Sequence, residues 1–169
     1  MLAFERAQRP SVFGMAVEEL MRKALDAVGE PDSPLIREVF DRLVTNSLPT
    51  EPMTVQEVAE LLDTSPHTLR YYERIGLVDI DRDDAGHRRY DTDAVRRLVF
   101  LTRMRLSGMP IRDLQHYIAL VDEGAETVPE RLEMLLEHRD TLRRQIRELT
   151  LSLAATEYKI ATYGGDTAP

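Results

Sequence analysis

Residues 53–78, MTVQEVAELLDTSPHTLRYYERIGLV, carry two helix-start signals in close succession. Thr54-Val55-Gln56-Glu57 has the form of a capping box: the Thr54 hydroxyl accepts from the third helical amide, and Glu57 reaches back to the cap. Val55, Val58, Ala59 and Leu62 then recur at helical spacing. Asp63-Thr64 makes a tight turn, and Ser65-Pro66 opens the next helix with a cap followed by proline at its first position. That helix runs roughly to Arg74 and ends before Gly76. Two short helices about a tight turn predict a helix-turn-helix.

Downstream, VDIDRDDAGHRRY (78–90) alternates Val78 and Ile80 with acids, turns over Asp83 to Gly86 and returns through Arg88 to Tyr90, which predicts a small hairpin. Thr92 or Asp91 caps a helix from about Asp93 to Ser107, and Gly108 suits its left-handed C-cap. Pro110 opens another helix, which Glu123-Gly124-Ala125 breaks. From Val128 the apolar residues step by three and four: Leu132, Leu135, Leu142, Ile146, Leu149, Leu153, Ile160 and Tyr163, with Arg139 and Thr156 in the same register. A helix of about 36 residues extends roughly 54 Å, and its heptad-like stripe needs a partner, most simply a second copy. Upstream, residues 12–28 place Phe13, Val17, Leu20, Met21, Ala24 and Val28 on one helical face. Ser33-Pro34 opens a second helix with Ile36, Val39, Phe40 and Leu43 inward, and residues 46–52 (NSLPTEP) read as a linker.

The 169-residue chain is 43% hydrophobic, 31% charged and 6% aromatic, the profile of a mainly helical globular protein. No apolar run approaches the ~18 residues that span a bilayer. The opening MLAFERAQRP has too short an apolar stretch for a signal peptide, so a cytoplasmic protein with no membrane association is expected. The net charge of −8 runs against nucleic-acid binding, although seven Arg against four Asp over residues 82–105 form a basic patch. With no cysteine, disulfides, thiolate metal sites and thiol redox sensors are excluded.

Thr68-Leu69-Arg70-Tyr71-Tyr72-Glu73 is the stretch richest in recognition chemistry. Leu69 and Ile75 or Leu77 face the core, while Thr68, Arg70, Tyr71 and Arg74 stay partly outside. Arginine bridges phosphates or reads guanine, and tyrosine and threonine hydroxyls bond phosphate oxygens. Alone, the segment fits a DNA-reading helix and an ordinary surface helix equally. Asp79, Asp81 and Asp83 mimic the start of a calcium loop, but Asp84 and Tyr90 stand where that loop needs glycine and glutamate. His67, His87, His116 and His138 share no ligand spacing. No phosphate-binding glycine loop or nucleophile elbow occurs, so no catalytic residue, metal or cofactor is expected.

From Met53 to about Leu120 the chain resembles the mercury-resistance regulator (MerR) family of transcription factors. The resemblance rests on LRYYERIGL, the wing ending HRRY, and RRLVFLTRMRLSGMPIRDL, met in order and spacing before a long C-terminal helix. It implies a winged helix-turn-helix dimer that binds a pseudo-palindromic promoter element, distorts it, and works with RNA polymerase. It implies DNA contacts by Thr68, Arg70, Tyr71 and Tyr72 on the recognition helix, and by Arg88, Arg89 and Tyr90 on the wing. Arg105 is expected on a phosphate, and Thr54 at a helix N-terminus suits another. Arg96 and Arg97 read as solvated helix surface.

The resulting expectation is a mainly α chain. Residues 1–50 form an N-terminal helical extension, with effector or partner binding among its open roles; 53–124 form the winged helix-turn-helix with its β-hairpin. Residues 127–163 form the coiled-coil dimerisation helix, packed through Leu132, Leu135, Leu142, Ile146, Leu149, Leu153 and Ile160, and 164–169 a tail. Thiolate sensing is closed by the missing cysteines, and a C-terminal drug-binding domain by the short tail GGDTAP. Three readings of the extension stay open: a small pocket against the dimer helix, a docking site for a protein partner, or a buttress in a regulator without an effector. An architectural or excisionase-like DNA-binding protein and a protein-interaction module are the competing functions.

Overall fold

Thr54 caps α1 (Val55–Leu61) as a complete capping box, with the Thr54 amide donating to Glu57 Oε2 at 2.7 Å and the Glu57 amide to Thr54 Oγ1 at 3.4 Å. The computed structural model describes residues 51–164, so the expected extension over 1–50 and the last tail residues lie outside the described residues. Asp63 turns the chain with φ +47°, a left-handed conformation that aspartate tolerates better than most residues. Ser65 Oγ accepts from the Thr68 amide at 3.0 Å and caps α2 (Pro66–Arg74), with Pro66 in the first turn. The helix stops in a Schellman motif: the Leu77 amide bonds the Tyr72 carbonyl and the Gly76 amide the Glu73 carbonyl. Gly76 sits there at φ +74°, which a side chain would strain.

β1 (Asp81–Arg82) and β2 (Arg88–Arg89) pair antiparallel, Asp81 opposite Arg89 and Arg82 opposite Arg88. The turn is closed by Gly86 N–H to the Asp83 carbonyl at 2.8 Å. One pairing has no precedent in the sequence pattern: Met53 and Tyr90 exchange backbone hydrogen bonds of 2.8 and 2.9 Å, so the residue before the α1 cap is stitched to the end of the hairpin. α3 (Thr92–Leu106) follows. Of the two candidate caps, Asp91 acts, its Oδ1 accepting from the Ala94 amide at 2.8 Å.

The chain forms two compact units that divide between Met104 and Arg105. In the first, Val58, Leu69, Leu77, Tyr90, Val95, Leu98 and Leu101 are the most deeply buried side chains. Burying one such aliphatic side chain contributes roughly 1.5–3 kcal/mol.

In the second unit Gly108 takes the left-handed conformation after α3, with φ +91°. α4 (Ile111–Glu123) buries Leu114, Ile118 and Leu120 and ends at Gly124. A short 3-10 turn (Ala125–Thr127) leads into α5 (Val128–Thr162). Within this unit Ser107 Oγ lies 2.7 Å from His138 Nε2, and Arg131 donates to the Gly124 carbonyl at 3.0 Å. At 35 residues, α5 is about 52 Å long. It has no buried residue. Leu135 and Leu142 are half-buried, while Leu132, Ile146, Leu149, Leu153 and Ile160 are 43–69% exposed. No helix among the described residues is long and apolar enough to cross a membrane.

Candidate nucleic-acid interface

Within the first unit an open cleft of about 430 Å³ forms between the N-terminus of α1, the outer face of α2 and the hairpin. Thr54, Arg70, Arg88 and Arg89 all line it, together with Gln56 and His87. Four positions spread over 36 residues of sequence thus converge on one surface, with three guanidinium groups among them. Arg70 is exposed on α2 and makes no ion pair or hydrogen bond with a described residue, so its full donor set is free for an anion.

The two wing arginines are held differently. Arg89 Nε donates to Asp83 Oδ2 at 3.3 Å, and Asp83 also accepts from the His87 and Ala85 amides through Oδ1. The His87 amide, more than any other neighbour, keeps the Asp83 carboxyl below its ordinary range. Arg88 Nε donates to Glu73 Oε2 at 2.5 Å, and Arg82 Nη2 to Glu73 Oε1 at 3.3 Å. The hydrogen bond to Glu73 raises the Arg88 pKa and secures its charge.

On α2, Thr68 Oγ1 lies 2.9 Å from Ser65 Oγ, and the Arg74 guanidinium stands over the half-buried Tyr71 ring at 5.4 Å. Tyr72 and Tyr90 are placed otherwise than as contacts: Tyr72 is 5% and Tyr90 0% exposed. The Tyr90 hydroxyl is buried without a hydrogen-bond partner among the described residues, and burial pushes its pKa up. Tyr72 follows the buried Leu69 by three residues on α2 and so shares its inward face, and Tyr90 lies just beyond β2 among the most deeply buried side chains. In the second unit, Arg105 is exposed and donates to the Met109 carbonyl at 2.6 Å. Among the described residues no group of His, Cys, Asp or Glu could hold a metal ion.

Residues 53–120 match the family described as MerR HTH family regulatory protein, and residues 95–155 match that described as MerR, DNA binding. The chain belongs to the MerR family of transcriptional regulators. It is 32% identical over 111 residues to an uncharacterized HTH-type transcriptional regulator of Haemophilus influenzae, covering 65% of this chain and 82% of that protein. A putative MerR family regulator from Listeria monocytogenes is similar in structure, with a TM-score of 0.62 and 34% identity over 66% of this chain and 86% of that one. HiNmlR, a MerR family regulator lacking the sensor domain and solved bound to promoter DNA, gives a TM-score of 0.62 at 31% identity, over 67% and 90% of the two chains. DNA binding is thus the activity of this MerR-family chain.

Two residues of this interface escape a reading by periodicity and motif. Glu73 and Arg82 form, with Arg88, the link between α2 and the wing. An acid in the last turn of a helix that precedes an arginine-bearing hairpin is the signal that could have found them.

Proposed function

We propose that this MerR-family chain acts as a homodimer on a pseudo-palindromic promoter element, which it bends and untwists so that RNA polymerase engages the promoter. Residues 53–124 serve as the DNA-binding domain and 127–163 as the dimerisation helix. The observation that carries the reading is the convergence of Thr54, Arg70, Arg88 and Arg89 on one cleft, a surface that can hold phosphates beside a helix able to enter the major groove. The exposed stripe on α5, Leu132 through Ile160, supplies the apolar surface for a second copy. A twofold dimer then presents two such surfaces to half-sites a whole number of turns apart. Deforming the intervening DNA costs several kcal/mol, which the phosphate contacts of both wings offset.

Thr68 and Tyr71 complete the contact set on α2, and Arg105 adds a phosphate contact. Tyr72 and Tyr90 support that set from the core. The test is a footprint on the DNA upstream of the chain's own gene, repeated at rising salt. Protection of a promoter spacer with twofold symmetry is expected. No protected site, or binding that survives the double change Arg70→Ala and Arg89→Ala, overturns the proposal. Protection of a repeated array away from any promoter replaces it with an architectural role.

A further inference from the structure

The wing has little to hold it. Each strand is two residues long, both residues of β1 are exposed, and β2 is only half-buried. A hairpin of this size has no stability of its own, and its strands bury no apolar side chain that would fix its angle against α2. The Tyr90 ring that follows β2 is fully buried and anchors the base, and two hydrogen-bonded attachments add to it. At the base, Met53 and Tyr90 are paired through their backbones. Halfway up, Glu73 spends one carboxylate oxygen on each strand: Oε1 on Arg82 of β1 and Oε2 on Arg88 of β2. Arg82 in turn donates from Nη1 to the Gly86 carbonyl at 3.1 Å, so the tether reaches the tip of the turn.

From this the geometry points to Glu73 as a positioning and specificity residue: it sets the wing against the recognition helix and withholds Arg88 from indiscriminate phosphate binding. The inference rests on the cleft being the DNA-binding surface. Glu73 and Arg88 are both partly shielded, with side-chain exposures of 20% and 28%, so their pairing is screened less than a surface ion pair. A guanidinium already engaged by a carboxylate gives little to a phosphate unless the wing is seated in the geometry that adds further contacts. DNA that cannot take that geometry meets Arg70, and Arg89 held more loosely by Asp83 at 3.3 Å, without the full use of Arg88. Glu73 therefore lowers affinity for unrelated DNA while keeping the wing poised for its operator.

The test uses the full chain with Glu73→Gln, a substitution of the same shape that removes the charge. Affinities are measured for the footprinted operator and for an unrelated duplex of equal length, each across a series of salt concentrations. Relative to wild type, affinity for the unrelated duplex is expected to rise and the operator-to-unrelated ratio to fall about tenfold. On the unrelated duplex the slope of log affinity against log salt steepens by about 0.9, the signature of one more neutralised phosphate. Adding Arg88→Ala to Glu73→Gln returns that slope to the wild-type value. Unchanged slope and ratio overturn the inference. So does a parallel fall of both affinities with a lower thermal midpoint, which marks a residue that only supports the fold. A wild type that binds duplexes but protects no operator defeats the promoter reading, and the slope on the unrelated duplex still decides the role of Glu73. A wild type that binds neither duplex overturns both.

Discussion

The recognition unit and the long helix α5 meet water in opposite ways. In the former, Leu69, Leu77, Tyr90, Val95 and Leu98 are out of solvent, and the helix starts are capped by Thr54, Ser65 and Asp91. In α5 no residue is buried, and leucine and isoleucine stand exposed along most of its length. The first has its apolar groups and its helix ends satisfied within one chain. The second carries apolar surface that the other described residues leave exposed, and that the proposed second copy would cover. Stability of the recognition unit should therefore be a property of the sequence, and stability of α5 a property of concentration.

The largest effect expected from breaking this contrast is in the core. Leu98→Ala should cost about 2–5 kcal/mol of unfolding free energy, read by urea denaturation, and the cost should not depend on protein concentration. A charge on the stripe comes next. Leu149→Glu should raise the dissociation constant of the proposed dimer on the order of a hundredfold, seen by sedimentation equilibrium, while unfolding of the recognition unit stays near wild type. Equal loss in both measurements would dissolve the distinction between the two regions. Arg70→Ala should then cost about 1–3 kcal/mol of operator affinity and flatten the salt slope by about 1. Its thermal midpoint should not move, because Arg70 has no partner among the described residues to lose. The smallest effect concerns the α1 cap. Hydrogen bonding, first from the Thr54 amide and then from its hydroxyl, holds the Glu57 carboxyl below its ordinary value. A carboxylate depressed in the folded state contributes stability above its unfolded pKa, near 4.3. That contribution disappears as pH falls through the lower folded value. Glu57→Gln should thus cost about half a kcal/mol or less at neutral pH, since the group is exposed, and the difference from wild type should close below about pH 4.

Much of the fold was legible because its signals are local. The capping box, the Ser65-Pro66 start, the turn before α2, the hairpin turn and the stripe on α5 each lie within a few residues, and the structure has all of them. The pairing of Met53 with Tyr90 was not legible, since a backbone bridge across 37 positions leaves no mark on side-chain periodicity. Asp91 and Thr92 are both competent caps, and only the position of the Ala94 amide chooses between them. At the interface, residue type and register put Arg70 on the outer face of its helix, and the family resemblance pointed to Arg88 and Arg89. Tyr72 and Tyr90 could not, because a tyrosine offers the same hydroxyl whether its ring lines a core or a groove. Glu73 was hidden for a third reason: its partners are nine and fifteen residues away, on an element whose angle the sequence does not state.

The Met53–Tyr90 pairing also makes a mechanical junction. Met53 is held to the DNA-binding unit by two backbone hydrogen bonds that any non-proline residue could supply in its place. The residue at that point can therefore change without rewriting the helix-turn-helix, provided the chain enters as a strand. Tension at Met53 loads the Tyr90 backbone, and because the Tyr90 ring is fully buried it reaches the core and the base of the hairpin together.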